Sequence, residues 1–188
     1  MTEQQPFNTS PLPVKLRVED YLLLDDTGAF DGYAKTELLD GEIFFMNAQH
    51  RPHARIKSRL FIEIAAALQG SGLEAIVEGS ITIPPHNVPE PDIVVTAEAE
   101  GEGLIPLPSV RLIVEVADTT VRHDLTRKAR IYAAAGVPEY WVVDVRAVTI
   151  HQLWSPDAGE YRERRELPLR GRVTAATLAC LSIDATGL

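Results

Sequence analysis

Apolar positions alternate between helical and extended spacing along the chain. Val18 to Leu24 reads as a short helix. Ala34 to Asn47 holds two strand-like pieces around Asp40-Gly41, a hairpin turn signal. From His53 to Gln69, Ile56, Leu60, Ile64, Ala67 and Leu68 share one helical face, and Gly70 and Gly72 follow the helix end. Leu73 to Ile83 reads as a strand region broken at Gly79, Pro84 to Pro89 as a loop, and Asp92 to Thr96 as a strand. Glu98 to Pro108 is acidic and Gly-containing and is expected to be mobile. Val110 to Ala117 is a β-branched run with the character of a central strand. Thr120 to Ala135 is a helix closed by Gly136. Strands follow at Glu139 to Asp144 and Val148 to Trp154, and Tyr161 to Glu166 pairs with the latter. This order predicts one α/β (α+β) domain over residues 18–188, preceded by a polar, Pro-rich and flexible N-terminal arm over residues 1–17.

Length and composition agree with a single soluble domain carrying a sizeable core. No apolar stretch is long enough to span a membrane, and the first residues lack the layout of a signal peptide. A single cysteine, Cys180, excludes an intrachain disulfide and a Cys-based zinc cluster, so a cytoplasmic protein is expected. The formal net charge of −9 argues against a non-specific nucleic-acid coat protein. It does not argue against a nuclease, whose clustered acids are neutralised by metal. Basic residues group at Arg51 to Arg59, Arg122 to Arg130 and Arg162 to Arg172. Each group reads as a solvated surface, or together they form a rim that grips phosphates.

The informative residues are acids inside apolar strands. Glu115 stands alone in the run from Arg111 to Ala117, and Asp92 opens the strand after Pro91. A buried carboxylate is costly unless it is paired or holds a cation. Helical spacing puts Lys128 near the middle of an inward arc with Asp124, Leu125, Ile131, Tyr132 and Ala135, and Arg127 outside that arc near its edge. Taken singly, Lys128 reads as an i, i+4 partner of Asp124, Glu115 as an ion pair with Lys128 or Arg111, and Asp92 as a turn carboxylate. Taken together on adjacent elements, they favour one shared site.

Pro91-Asp92 followed by Glu115-Val116-Ala117 resembles the signature of the PD-(D/E)XK nuclease superfamily, with Ala117 where that pattern has lysine. The wider set resembles the Uma-type family of putative restriction endonucleases over residues 18–155. That set comprises Thr36 to Ile43, His53, Glu90 to Val95, Leu112 to Val116, Asp124 to Lys128, Tyr132 and Gly136 to Asp144. In that family the lysine comes from the following helix. The resemblance implies a restriction-endonuclease-like fold, a mixed central sheet flanked by helices.

It also implies a metal-dependent DNA endonuclease. Asp92, Glu115 and the Val116 carbonyl would hold Mg²⁺ or Mn²⁺, and Lys128 would orient or help deprotonate the attacking water. Glu42, or Glu37 in the same block, would add a further acid. His53, Arg127 and Asp124 would contact the substrate, His53 from a helix start. DNA is the implied partner, and cutting two strands favours a homodimer. Two other functions fit the same residues: a non-catalytic relative that binds nucleic acid or protein through this cleft, and a metal-dependent phosphoesterase acting on RNA or small substrates.

Overall fold

The computed structural model describes residues 12–188 apart from Asn47. The first eleven residues of the expected N-terminal arm lie outside the described residues. At its end, the Leu16 N–H donates to the Gly41 carbonyl at 3.0 Å. No helix among the described residues is long and apolar enough to cross a membrane.

The chain opens with α1 (Val18–Asp26) and a hairpin of β1 (Thr36–Leu39) and β2 (Glu42–Phe45). Asp40 and Gly41 both take positive φ, 52° and 75°, as the two-residue turn between these strands requires. Gly41 is needed twice over, because a Cβ there would lie 2.8 Å from the Lys15 Cβ. Next comes α2 (Arg51–Ala67), which starts two residues before the expected His53; Pro52 sits in its first turn, where its missing N–H breaks no bond. Strands β3 (Glu74–Val77) and β4 (Ile81–Thr82) are separated at Gly79, where a Cβ would collide with Ile105 at 2.6 Å. Strand β5 (Ile93–Thr96) leads to a loop that is pinned by β6 (Ile105–Pro106), a short parallel partner of β4.

The central strand is β7 (Val110–Ala117), followed by α3 (Val121–His123), a π-helical stretch over Asp124–Lys128 and α4 (Ala129–Ala134). These three pieces run as one helix over 121–134 and cross over to β8 (Glu139–Asp144), which lies parallel to β7. The meander continues with β9 (Thr149–Asp157) and β10 (Glu160–Pro168), and the chain closes on a small pair, β11 (Arg172–Thr174) and β12 (Ser182–Asp184). The main sheet has the order β10-β9-β8-β7-β5-β3, mixed because only β7 and β8 are parallel.

Both faces of this sheet are covered, which is why β5 and β7 are almost wholly apolar. On one face α2 and the β11–β12 pair pack Leu60, Ile64, Val173 and Ile183 against Val95, Val114 and Trp141. On the other the 121–134 helix packs Ile131 and Tyr132 against Ile113, Ala117, Tyr140 and Val142. The π stretch turns fewer degrees per residue than an α-helix. Ala129 and Ala133 are therefore buried beside the expected Ile131 and Tyr132.

Glu139, fully buried at the start of β8, anchors the C-terminal segment. It accepts hydrogen bonds from Trp141 Nε1 (2.6 Å), Ala176 N (2.9 Å), Thr177 N (2.7 Å) and Thr177 Oγ1 (2.8 Å). Glu139→Ala would strand these buried donors at about 1–3 kcal/mol for each one left unpaired. A fall in Tm on the order of 10 °C is expected for a chain of this size. A melting curve that moves by only about a degree would mean that apolar contacts alone hold the segment.

Candidate active site

The site lies where the β5–β7 ladder ends. Ile93 pairs with Val114, and the next step of that register sets Asp92 opposite Glu115. Asp92 is no longer in the ladder, but its Oδ2 accepts the Val116 N–H at 2.8 Å in place of a strand bond. Within a strand the N–H and C=O of one residue point to the same edge. The Val116 carbonyl therefore faces the Asp92 edge. Glu115, Val116 and Asp92 line a cleft of about 750 Å³, together with Lys128 and Asp124.

Lys128 reaches this point from the π-helical stretch. It is 2 % exposed, and its Nζ lies 2.9 Å from Glu115 Oε1 and 3.1 Å from Glu37 Oε2. The lysine thus bridges two carboxylates from different elements instead of pairing with Asp124. Asp124, also buried, accepts the Thr120 hydroxyl at 2.7 Å. Burial alone would lower the Lys128 pKa, but Glu115, Glu37 and Asp124 together raise it. Burial pushes Glu115 up to about 8, only partly offset by Lys128, with Asp124, Asp92 and Glu37 adding repulsion. The Tyr132 hydroxyl donates to Glu115 at 3.2 Å and fixes its carboxylate further.

Asp92 is gripped from the other side by α2. His53 Nε2 lies 3.3 Å from its Oδ2 and Lys57 Nζ 3.6 Å from its Oδ1. Burial would raise the Asp92 pKa; His53, the Val116 N–H and Lys57 outweigh it and hold the carboxyl below its usual range. The second ring nitrogen of His53 has no hydrogen-bond partner among the described residues. Lys57, 8 % exposed, is itself held by Glu78 and Gln49, each at 2.7 Å.

The structure therefore brings Asp92, Glu115, Val116, Lys128, Asp124 and His53 into one cleft. It does not bring Glu42 there. Glu37 and Glu42 share a face of the hairpin, but Glu42 stands at its turn end, opposite Leu39. It is exposed, bound to Lys15 and Arg127 at 2.7 Å each, and pulled down to about 2 by those hydrogen bonds. Glu37, 1 % exposed, is the hairpin acid that reaches Lys128. Arg127 is likewise committed within the chain, to Asp40 (3.0 Å), the Leu39 carbonyl (3.1 Å) and Glu42, with its guanidinium over the Phe44 ring. It clamps the hairpin onto the helix, which is how Glu37 is delivered to Lys128. The basic cluster on β10 lies three strands away from β7, at the sheet edge.

Among the described residues no three Asp, Glu, His or Cys side chains form a ready-made metal cage. The donor set on hand is two carboxylates and one carbonyl. That set suits Mg²⁺, which keeps several waters and completes its shell with substrate phosphate oxygens.

A mixed sheet flanked by helices, with an acid pair and a lysine where its central strands end, defines a restriction-endonuclease-like protein. The chain belongs to the Uma2 family, described as "Putative restriction endonuclease", whose model matches residues 18–185. A solved structure described as a putative nuclease belonging to DUF820, from Anabaena variabilis ATCC 29413, is similar in fold. The two share 17% sequence identity and a TM-score of 0.69, over 90% of this chain and 95% of that one. A search of curated proteins gives no match.

Proposed function

We propose that this chain is a metal-dependent endonuclease that hydrolyses phosphodiester bonds of DNA, with Mg²⁺ or Mn²⁺ as its cofactor. The observation that carries the reading is the meeting of Asp92, Glu115 and Lys128, from three separate elements, in one cleft. Asp92, Glu115 and the Val116 carbonyl would hold the ion. When bound, the ion supplies Lewis-acid stabilisation of charge on the phosphate and makes water a better nucleophile. The chain's own residues do the rest. Lys128 places a positive charge beside Glu115, where it can orient the attacking water or screen charge developing on phosphorus. Tyr132 and Glu37 keep Glu115 and Lys128 in register, and His53 holds Asp92 from the cleft wall.

Calorimetry with Mn²⁺ and nicking of supercoiled plasmid with and without Mg²⁺ test this directly. The native chain is expected to bind Mn²⁺ and nick only with metal. Asp92→Asn and Glu115→Gln should each weaken Mn²⁺ by roughly tenfold or more, as loss of a ligating charge demands. Unchanged Mn²⁺ binding in both variants would remove the metal site. Intact Mn²⁺ binding with no nicking of DNA or RNA would leave the non-catalytic binding role.

A further inference from the structure

Phe45 of β2 and Tyr33, just before β1, make an aromatic pair that neither the fold nor the acid cluster uses. Alternation along β2 turns Phe44 inward, under Arg127 and 6.0 Å from the His123 ring, and turns Phe45 outward. Phe45 is 60 % exposed, and Tyr33, 53 % exposed, lies against it with ring centroids 5.3 Å apart and planes tilted by 38°. Ile43, on the same face of β2, is 37 % exposed. The cross-strand neighbour of Phe45 is Thr36, whose hydroxyl is taken by Tyr21, so packing places no demand for an aromatic at position 45. Yet Phe45 lines the cleft that holds Asp92, Glu115 and Lys128.

Building on the nucleic-acid reading of that cleft, we infer that Tyr33 and Phe45 form a stacking platform for an unpaired nucleobase, so that the cleft prefers single-stranded or locally unpaired nucleic acid. A base inside a duplex is already stacked on both sides and offers only its edges to protein. A single strand offers the faces of its bases, and every base has one that an aromatic ring can cover. Phe45 belongs both to this pair and to the lining of the cleft, so a base seated on it would lie beside the cleft. A second copy of the chain fits this patch less well. A stable interface buries about 800 Å² per partner. The exposed halves of two rings offer only roughly 200 Å², since a whole aromatic side chain buries 150–250 Å².

The test is equilibrium binding of the full chain to a fluorescent single-stranded oligonucleotide and to its duplex. Ca²⁺ serves as the cation because it takes the same oxygen ligands, and gels confirm that the probes stay intact. A 2-aminopurine base in the single strand reports stacking by quenching. The single strand is expected to bind about tenfold or more tighter than the duplex. Phe45→Ala and Tyr33→Ala should each lose on the order of tenfold for the single strand, the size of one base–aromatic stack. Phe45→Trp should restore binding and quenching. Both rings are exposed, so the melting temperature should hold in all three variants and the comparison survives without loss of fold. Equal affinity for duplex and single strand, with both alanine variants unchanged, overturns the platform and leaves the endonuclease reading standing. Failure to bind any oligonucleotide overturns both. A dimer in sedimentation that Phe45→Ala converts to monomer overturns the platform too and assigns the face to a second copy.

Discussion

Lys128→Met is expected to abolish nicking, a loss of roughly 10²–10⁴-fold if the lysine positions a proton or charge in the reaction. It should destabilise the chain as well. The ammonium is 2 % exposed and bridges Glu115 and Glu37. Removing one partner of a buried ion pair costs about 3–5 kcal/mol, a fall in Tm on the order of 10 °C at this chain length. Mn²⁺ affinity should move the other way and tighten, because the competing cation beside Glu115 is gone. These opposed readouts separate chemistry from structure. Adding Glu37→Gln to Lys128→Met removes one of the two stranded charges and should recover part of the melting temperature. If nicking returns with it, Lys128 is a structural counter-ion; if nicking stays lost while Glu37→Gln alone is active, the lysine serves the reaction. Arg127→Ala is the contrast on the same helix. Its guanidinium holds the hairpin turn, so it should lower thermal stability more than it lowers nicking.

Much of the architecture could be read from local pattern. The bounds of β7 and β8 agree with Val110 to Ala117 and Glu139 to Asp144 because both are β-branched or aromatic runs closed by turn residues. Asp40-Gly41 marked the hairpin because only such residues accept two successive positive φ values. The inward lysine was legible from its place on the helical stripe. Its partners were not, since Glu37 and Glu115 reach it from other elements while Asp124, the local candidate, turns to Thr120. The same limit explains Glu42. Two acids lie on one face of one hairpin, and only the docking of that hairpin through Arg127 decides which becomes buried. Lys57 carried the signal that identified Lys128, being on the stripe of His53, Leu60 and Ile64, but it was absorbed into a basic cluster. Glu139 left no local trace, because its donors come from residues 176 and 177, far along the chain. Strands β11 and β12 each bury one residue of three, too little for a period to show.

The double variant Ala117→Lys with Lys128→Ala is expected to regain part of the nicking that Lys128→Ala alone loses. The superfamily pattern that this chain resembles places its lysine two positions after the second acid, where Ala117 stands. Ile113, Glu115 and Ala117 alternate onto one face of β7, and that face is the one covered by the 121–134 helix. Ala117 is fully buried beneath that helix, so a larger side chain there has to displace packed neighbours. Shortening Lys128 to alanine empties the space beside Glu115, and a lysine at 117 starts about 7 Å from position 115 along the strand, within reach of a four-carbon stem. The new side chain must still pass Val142 and Tyr140, and overpacking of that kind costs about 1–3 kcal/mol. An ammonium misplaced by about 1 Å can lose on the order of a hundredfold in rate, so recovery should be partial. Thermal melting and Mn²⁺ calorimetry establish that the variant is folded and loaded before nicking is compared. A folded, Mn²⁺-binding double variant that is no more active than Lys128→Ala would mean that the place left by Ala117 and the place filled by Lys128 are not chemically equivalent. Lys128 would then act only as the counter-ion that holds Glu115 and Glu37 together.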